Sequence, residues 1–195
     1  MTGRAGVLAL QGDVAPHAAA LRAAGAAPIE VRCPGSLERC THLVLPGGES
    51  TTLRRLLDLF GLADAIRARV RAGELALFGT CAGTILCAAD AGDRPEPLRL
   101  LDVDVERNAY GTQLDSFARP LESELFPQLV GVFIRAPRIT RVGTGVRVLA
   151  TDRGDAVLVE APGILAATFH PELTDDATLH AHFLSMEPSG RNGRG

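Results

Sequence analysis

The sequence contains no lysine, because all 20 of its basic residues are arginines. A lysine amine is needed to form an imine with a carbonyl substrate or cofactor, and a phosphate loop of the Walker type also requires a lysine. Both kinds of chemistry are therefore excluded for this chain.

The sequence also lacks an excess of charge of one sign and a long apolar run. Its formal net charge is −3, and its arginines are scattered rather than grouped, which argues against a nucleic-acid partner. The longest uncharged run, residues 75–89, is too short to span a bilayer. The apolar segment near the N-terminus is shorter than that of a signal peptide. We therefore expect a cytoplasmic protein that binds neither nucleic acid nor membranes.

The four cysteines lack the spacing of a metal site or of a redox pair. Cys33, Cys40, Cys81 and Cys87 form no C-x-x-C pair and no cluster with histidines. If Cys81 and Cys87 lie on one helix, they are separated by about 240° around its axis and do not readily form a disulfide. We expect neither a metal nor another cofactor.

The length of the chain, 195 residues, is sufficient for one domain with a substantial core. No linker or internal repeat divides it. We expect a single domain over residues 1–186, followed by a polar, glycine-rich tail over residues 187–195 that is predicted to be disordered.

The order of the predicted strands and helices indicates the fold class. The strands predicted in the first half are residues 7–10, 28–32, 42–45 and 75–78. Helical patterns lie between them, and Ser50 is expected to cap the helix after the third strand. The strands predicted in the second half are residues 101–105, 130–134, 146–150, 156–160 and 164–169. We therefore predict an α/β fold: a three-layer sandwich with a mostly parallel central sheet, helices on both faces, and an antiparallel extension in the C-terminal half.

The segment Gly79-x-Cys81-x-Gly83 follows the fourth predicted strand and has the form of a nucleophile elbow. In an elbow a strand turns sharply into a helix, and small flanking residues allow the nucleophile to stand out at the turn. The N-terminus of the following helix favours a thiolate. The alternative is a buried structural cysteine beside a glycine-rich turn, since cysteine is among the most buried residue types.

Three loops are predicted at the carboxyl ends of strands, where open α/β sheets bind ligands. They are residues 47–49, 79–83 and 170–172. His170 and Glu172 are two residues apart, so they project to the same side of an extended segment and the carboxylate can orient the imidazole. Each loop alone has an ordinary structural explanation, but together they predict a cysteine, histidine and glutamate triad. The other histidines, His17, His42, His180 and His182, are expected to have structural roles.

Six segments of the chain resemble the class I, triad-type glutamine amidotransferases, and within that group the glutaminase subunits of pyridoxal 5′-phosphate synthases. They are residues 6–13, 45–52, 79–83, 107–111, 133–137 and 169–174. G-x-C-x-G and H-P-E identify only the superfamily, whereas P-G-G-E-S-T-T, R-N-x-Y-G and I-R-A-P narrow the resemblance to these subunits. Thr112 stands where the family usually has an arginine, which concerns a subunit or loop contact rather than the triad.

The resemblance implies a role for each matching residue. Cys81 is the nucleophile, and His170 and Glu172 complete the triad. The residues implied to contact glutamine are Gly47, Gly48, Glu49, Arg107, Ile134 and Arg135. Backbone N–H groups near Gly47 and Gly48, together with that of Ala82, can hold the oxyanion. The arginines suit an amino-acid carboxylate because a guanidinium can bind both of its oxygens.

The resemblance also implies the reaction and the partner. L-Glutamine would be hydrolysed to L-glutamate and ammonia, and the ammonia would pass to a synthase subunit that combines it with a pentose phosphate and a triose phosphate to make pyridoxal phosphate. The lysine imines of that synthesis would belong to the partner. Glutaminase activity is expected to stay low until the partner docks near residues 11–13 and the Gly47 loop.

Three other functions are compatible with parts of the same pattern. The first is the glutaminase subunit of imidazole glycerol phosphate synthase, which has a similar size and the same triad. The second is a cysteine redox sensor or chaperone of the DJ-1-like kind, which shares the elbow. The third is an inactive scaffold subunit, against which the complete triad argues.

Overall fold

The structure is a computed structural model that describes residues 4–92, 96–107 and 116–190. Its strands are β1 (Ala5–Leu8), β2 (Ile29–Val31), β3 (His42–Leu45), β4 (Ala76–Thr80), β5 (Val103–Glu106), β6 (Phe117–Pro120), β7 (Val130–Phe133), β8 (Arg138–Val142), β9 (Arg147–Asp152), β10 (Asp155–Ala161) and β11 (Ile164–Ala167). Its α-helices are α1 (Val14–Ala23), α2 (Pro34–Leu37), α3 (Ser50–Leu59), α4 (Leu62–Arg71), α5 (Ala82–Cys87) and α6 (Thr178–Ser185), and a 3-10 helix spans Pro171–Leu173. Within these described residues, no helix is both long and apolar enough to cross a membrane.

A seven-stranded sheet in the order β2-β1-β3-β4-β11-β10-β9 forms the centre of the molecule. The first five strands in this order pair in parallel, whereas β10 and β9 add to the edge in antiparallel fashion. The parallel strands β1, β3 and β4 are buried along their whole length, as expected for a sheet that is covered on both faces. The predicted fold class is confirmed.

Two apolar clusters, one on each face of the sheet, form the core. Successive strand residues point to opposite faces, so the neighbours Leu43 and Val44 of β3 belong to different clusters. Leu43 packs in the cluster that includes Leu57 of α3, and Val44 packs in the one that includes Phe183 of α6. Helices therefore cover both faces, which leaves the carboxyl edge of the parallel strands for the loops that follow them.

The strands predicted at residues 101–105 and 130–134 do not extend the central sheet. Strand β5 pairs with β8, and β6 pairs with β7, in two separate two-stranded sheets. Val103 of β5 belongs to one core cluster and Phe133 of β7 to the other. These ribbons therefore bury their apolar residues in the cores of the two faces instead of lengthening the sheet, a choice that alternation along a strand does not specify.

The predicted tail begins close to the end of α6. Residues 187–190 follow the helix, and the Gly190 N–H donates to the Gly73 carbonyl oxygen at 3.2 Å. Residues 191–195 lie outside the described residues. The division of the chain at residue 186 stays a prediction.

The junction between β4 and α5 explains the two glycines that flank Cys81. A Cβ on Gly83 would lie closer than 3.0 Å to the carbonyl oxygen of Leu45 in β3. A Cβ on Gly79 would lie 2.8 Å from the carbonyl carbon and oxygen of Gly83. The first turn of α5 therefore rests directly on the backbone of two strands, a distance that only glycine allows.

Gly83→Ala is expected to lower the free energy of unfolding by ~1–3 kcal/mol, because the new methyl group must displace backbone rather than a flexible side chain. Gly35→Ala is the matched control, since a Cβ at Gly35 in α2 would meet nothing within 4 Å. Urea unfolding of both variants measures the difference. Equal stabilities would contradict this account of the junction.

Candidate active site

The loops at the carboxyl edge of the sheet surround a cavity of about 440 Å³. It is lined by Asp13, Gly48, Glu49, Ser50, Cys81, Ile85, Arg107, Ile134, Arg135 and His170. Seven of these residues carry a predicted site role, namely Gly48, Glu49, Cys81, Arg107, Ile134, Arg135 and His170. The volume suits a small polar ligand, and the lining contains both a thiol and an imidazole, groups that can act as a nucleophile and a base.

A second hollow of about 700 Å³ runs along strand β9. Its described lining residues lie between Glu122 and Leu125 and between Arg147 and Thr151, and they include neither cysteine nor histidine. The smaller cavity is therefore the candidate active site, because it alone of the two combines reactive groups.

Cys81 lies in the turn between β4 and α5 with φ 48° and ψ −105°. A positive φ is uncommon for a residue with a side chain and often marks a functional site. The turn is fixed by hydrogen bonds: Cys81 N–H donates to the Ala167 carbonyl oxygen at 2.9 Å, and Thr84 Oγ1 donates to the same oxygen at 2.6 Å. Cys81 is 7% exposed and directly precedes the first turn of α5. The strand, turn and helix thus have the arrangement of a nucleophile elbow.

His170 and Glu172 form a short hydrogen bond at the end of β11. His170 Nδ1 lies 2.8 Å from Glu172 Oε1, and both side chains are buried. The backbone N–H of His170 donates to the Val132 carbonyl oxygen at 2.8 Å, which ties this segment to β7. Because a carboxylate accepts, Nδ1 carries a proton, and Nε2 is the ring nitrogen that can exchange one with Cys81.

The charge of His170 is set by two acidic partners. Burial alone lowers its pKa, but the hydrogen bonds and negative charges of the Cys81 and Glu172 side chains outweigh burial and raise the pKa of His170 to about 10. His170 is therefore protonated at neutral pH. An imidazolium beside Cys81 stabilises a thiolate on that residue.

The Gly47 loop lies directly over the triad. A Cβ on Gly47 would come within 3.0 Å of His170 Cε1, and one on Gly48 would lie 2.9 Å from the amide of Gln11. A Cβ on Gly12 would likewise be closer than 3.0 Å to the Gly47 carbonyl oxygen. The loop after β1 and the loop after β3 are thus in backbone contact with each other and with the imidazole.

Glu49, and not Ser50, caps helix α3. The Glu49 carboxylate accepts from the backbone N–H of Thr51 at 3.0 Å and of Thr52 at 2.7 Å. Burial is the largest single effect and raises its pKa, but the hydrogen bonds from Thr52 and Thr51 together outweigh burial and lower the pKa of Glu49 to about 2. The predicted Ser50 cap is wrong because the longer, charged side chain reaches the helix N-terminus first. Ser50 lies within the helix and lines the cavity.

Two arginines face the opening of the cavity. Arg107 Nη2 lies 3.6 Å from Glu49 Oε1, so the capping carboxylate also holds this guanidinium near the cavity. Arg135 is exposed and has φ 44°, and it is the second residue other than glycine with a positive φ in the described cavity lining, besides Cys81. The segment after Arg107, which includes Thr112, lies outside the described residues.

Among residues 4–92, 96–107 and 116–190, one group could hold a metal ion. Asp13, His170 and Glu172 each bring one ligand atom within 4.8 Å of the others. His170 Nδ1 is already engaged by Glu172 at 2.8 Å and lies 3.5 Å from Asp13 Oδ2. We assign this group to the triad, because the nitrogen that a metal would require is the one that the carboxylate orients.

Three polar residues behind the triad were not identified from the sequence. His17 Nε2 lies 3.3 Å from Glu172 Oε2 and 3.0 Å from Thr80 Oγ1, and His17 Nδ1 lies 3.0 Å from His180 Nε2. His17 and His180 belong to helices at opposite ends of the chain. No motif joins them, and both were expected to have only structural roles.

Comparisons with known proteins agree with this geometry. Residues 7–187 match the SNO glutamine amidotransferase family. The chain is 47% identical over 188 residues to the pyridoxal 5′-phosphate synthase subunit PdxT of Chloroflexus aurantiacus, covering 93% of this chain and 98% of the relative. It is 50% identical to the PdxT subunit of Thermus thermophilus, covering 95% and 98%. A crystal structure described as a glutamine amidotransferase is similar with a TM-score of 0.88 and 49% identity, covering 93% of this chain and 97% of the other.

The high pKa of His170 predicts a part of the stability that depends on pH. Its ordinary pKa is 6.5 and its pKa in the folded chain is about 10, so the native state binds the proton more tightly. This contribution is complete below pH 6.5 and is lost as the pH rises through about 10. We expect the free energy of unfolding to fall over this range more steeply in the wild type than in His170→Asn. Parallel curves in urea unfolding at stepped pH would contradict the assignment.

Proposed function

Since the chain belongs to the SNO glutamine amidotransferase family, we propose that it hydrolyses L-glutamine to L-glutamate and ammonia through Cys81, His170 and Glu172. One observation carries this proposal. Cys81, at its strained elbow, shares the 440 Å³ cavity with His170, whose Nδ1 is held by Glu172 at 2.8 Å. A thiol nucleophile, a proton carrier and an orienting carboxylate are the groups that amide hydrolysis through a thioester requires.

The first half of the reaction forms the thioester. The Cys81 thiolate attacks the side-chain amide carbon of glutamine, and the carbonyl oxygen becomes an oxyanion. When the tetrahedral intermediate collapses, the carbon–nitrogen bond breaks and the His170 imidazolium gives its proton to the departing nitrogen. Ammonia leaves, and a glutamyl thioester remains on Cys81.

The second half restores the enzyme. His170, now neutral, takes a proton from a water molecule whose oxygen attacks the thioester carbon. The carbon–sulfur bond breaks, so that the Cys81 thiolate forms and the new carboxyl group releases a proton to solvent to give glutamate; His170 is an imidazolium again. Glu172 accepts from His170 Nδ1 throughout, which keeps Nε2 directed to the reacting atoms.

Backbone N–H groups from two loops would stabilise the oxyanion. Ala82 is the first residue of α5, and an N–H at that position has no partner within its helix. Gly48 lines the cavity and Gly47 lies over the imidazole, so their peptide groups are close to the same place. Each well-directed donor contributes ~2.7–4 kcal/mol to the lowering of the barrier in comparable sites.

Charged groups at the opening would recognise the amino-acid end of glutamine. Arg107 and Arg135 suit its carboxylate, and Glu49 supplies the negative charge that an ammonium group favours. Ile134 contributes an apolar wall beside Arg135. This arrangement places charge at the opening and the nucleophile deeper, which matches an amino acid whose reactive amide is at the far end of its side chain.

We assign the ammonia to a pyridoxal 5′-phosphate synthase subunit as its acceptor, because the relatives with about half of their residues identical are named as subunits of that synthase. The family match favours this acceptor over imidazole glycerol phosphate synthase, and a redox sensor would not need the ordered pair of His170 and Glu172. Partner docking on residues 11–13 would act on the oxyanion hole through the close contact of Gly12 with the Gly47 carbonyl.

We expect ammonia release from glutamine to appear when the chain is mixed with a pyridoxal 5′-phosphate synthase subunit, and to fall by at least ~10³-fold in Cys81→Ala because no other group supplies the nucleophile. Cys87→Ala is the matched control on the same helix, where full burial raises the pKa of the thiol to about 12 and makes it unreactive. Activity that survives Cys81→Ala would contradict the triad, and equal activity with and without the partner would contradict activation by docking.

Arg135→Ala is expected to raise KM for glutamine by ~10–100-fold with a smaller change in kcat, because a hydrogen bond to a charged group contributes about 1.5–3 kcal/mol to binding. Arg147→Ala is the control, since Arg147 pairs with Glu160 at 2.7 Å and is absent from the described lining of this cavity. Steady-state kinetics of the complex measures both. An unchanged KM in Arg135→Ala would remove this residue from the substrate site.

A further inference from the structure

A network of buried polar side chains lies behind the predicted triad, on the side away from the cavity. It consists of Glu172, His17, Thr80 and His180. Glu172 Oε1 faces His170, and the other carboxylate oxygen, Oε2, lies 3.3 Å from His17 Nε2. The same nitrogen is hydrogen-bonded to Thr80 Oγ1 at 3.0 Å, and His17 Nδ1 is 3.0 Å from His180 Nε2. His17, His180 and Thr80 are completely buried, so each of these groups must find its partner within the protein.

The position of the Glu172 carboxylate indicates which nitrogen of His17 carries the proton. Glu172 Oε2 is buried and makes no hydrogen bond of good geometry to any described residue. Its interaction with the nearby His17 Nε2 is therefore mainly electrostatic. If His17 Nε2 were the bare nitrogen, its lone pair would face the carboxylate oxygen at 3.3 Å and repel it. An N–H at this position points to Thr80 Oγ1 and presents its positive end to the carboxylate. His17 is therefore the Nε2–H tautomer.

The contacts of His180 give a second indication of the His17 tautomer. Its Nδ1 is buried and has no hydrogen-bond partner within residues 4–92, 96–107 and 116–190. A buried N–H without a partner is rarer than an acceptor without one, which favours a bare Nδ1 and an N–H at Nε2. His180 Nε2–H then donates to His17 Nδ1. The contacts of His17 with Glu172 and with His180 thus indicate the same tautomer of His17.

We propose that His17 is a positioning residue for the reaction: held by His180 as the Nε2–H tautomer, it fixes the Glu172 carboxylate in the orientation that accepts from His170 Nδ1. This inference rests on the proposed function for its kinetic consequences. Its structural part does not depend on glutamine, because it concerns the tautomer and the orientation of groups that are present without substrate.

The surroundings keep both positioning histidines neutral. Burial is the main cause that lowers the pKa of His17 well below its ordinary value, and the charges of His180 and His170 add to it. Burial likewise lowers the pKa of His180 to about 4, against a small opposing effect of Asp176. Phe78 packs edge-on against both rings. A neutral donor orients the carboxylate without cancelling the negative charge that supports the His170 imidazolium.

Two substitutions of His17 distinguish the effect of losing its N–H donor from the effect of changing its side-chain volume. His17→Leu removes the N–H and retains much of the volume, and His17→Gln retains an N–H donor. We expect kcat of the complex with the synthase subunit to fall ~10–100-fold in His17→Leu with KM within about threefold, and to stay within about threefold of wild type in His17→Gln. His42→Leu and His42→Gln are the controls, since His42 is also buried but bonds to Thr41 Oγ1 and the Met186 carbonyl oxygen. Equal losses in both His17 variants would overturn the proposal.

A double substitution tests whether His17 acts through Glu172. In the Glu172→Gln background, His17→Leu should reduce kcat by less than twofold, because the carboxylate that His17 orients is already absent. A full additional loss of ~10–100-fold would show that His17 acts independently, and would overturn the inference.

Nuclear magnetic resonance of ¹⁵N-histidine-labelled chain provides a readout that needs no activity. We expect His17 to be neutral with its proton on Nε2, and His170 to titrate near 10 in the wild type. In His17→Leu the titration of His170 should move to lower pH, because a loosened Glu172 supports the imidazolium less well. The other charged groups that face His170 are Cys81 and Asp13, which both variants retain.

A proton on His17 Nδ1, or an unchanged His170 titration in folded His17→Leu, would overturn the proposal. Thermal unfolding confirms that each variant is folded, and His17→Met, which also lacks an N–H donor, replaces His17→Leu in the titration if the latter is not. Wild-type complex without glutaminase activity, together with the expected tautomer and titration, would instead refute the proposed function and leave the positioning inference in place.

Discussion

Gly83 places the first turn of α5 against the carbonyl oxygen of Leu45, at a distance that leaves no room for a Cβ. This contact determines where Cys81 lies, because the residue is carried between β4 and that turn with a backbone conformation that its neighbours enforce. Gly47 repeats the same device against the His170 ring, and Gly12 repeats it against the Gly47 carbonyl. The side chains proposed to react are thus positioned by glycine backbone in close contact with its neighbours, which leaves little room for movement.

The electrostatic surroundings differ on the two sides of His170. Towards the cavity, Glu49 is exposed and Arg107 is partly exposed, so their ion pair is in contact with solvent. Towards the core, Glu172 lies beside His17, which contacts His180; burial keeps both histidines neutral, and Phe78 packs edge-on against both rings. The Glu172 carboxylate is therefore directed to one cation, His170, and its attraction is little screened. Burial lowers the pKa of His170, but the hydrogen bonds and charges of Cys81 and Glu172 together outweigh burial and raise the pKa to about 10.

The sequence predicted what depends on local pattern and failed where distant segments meet. Apolar runs gave the parallel sheet, and the turn chemistry of Gly79, Cys81 and Gly83 gave the elbow. The sheet to which residues 101–105 belong was not predictable. Alternation shows that a strand has an apolar side, but not whether the strand extends the central sheet or packs over it. His17 and His180 are 163 residues apart in the chain, so their 3.0 Å contact leaves no trace in spacing. The Ser50 cap failed for a local reason, since an adjacent glutamate competes for the same N–H groups.

Cys81 and Cys87 show how position in the fold gives two thiols of one segment different surroundings. Both lie at α5, six residues apart, and both are buried. Cys87 belongs to one of the two apolar clusters, where full burial raises the pKa of its thiol to about 12. Cys81 lies in the turn before α5, where it lines the cavity beside His170 and precedes the N–H groups of the first turn. One short segment therefore keeps one thiol in the core and presents the other to the cavity, because Cys87 ends the helix within an apolar cluster whereas Cys81 lies in the turn that opens onto the cavity.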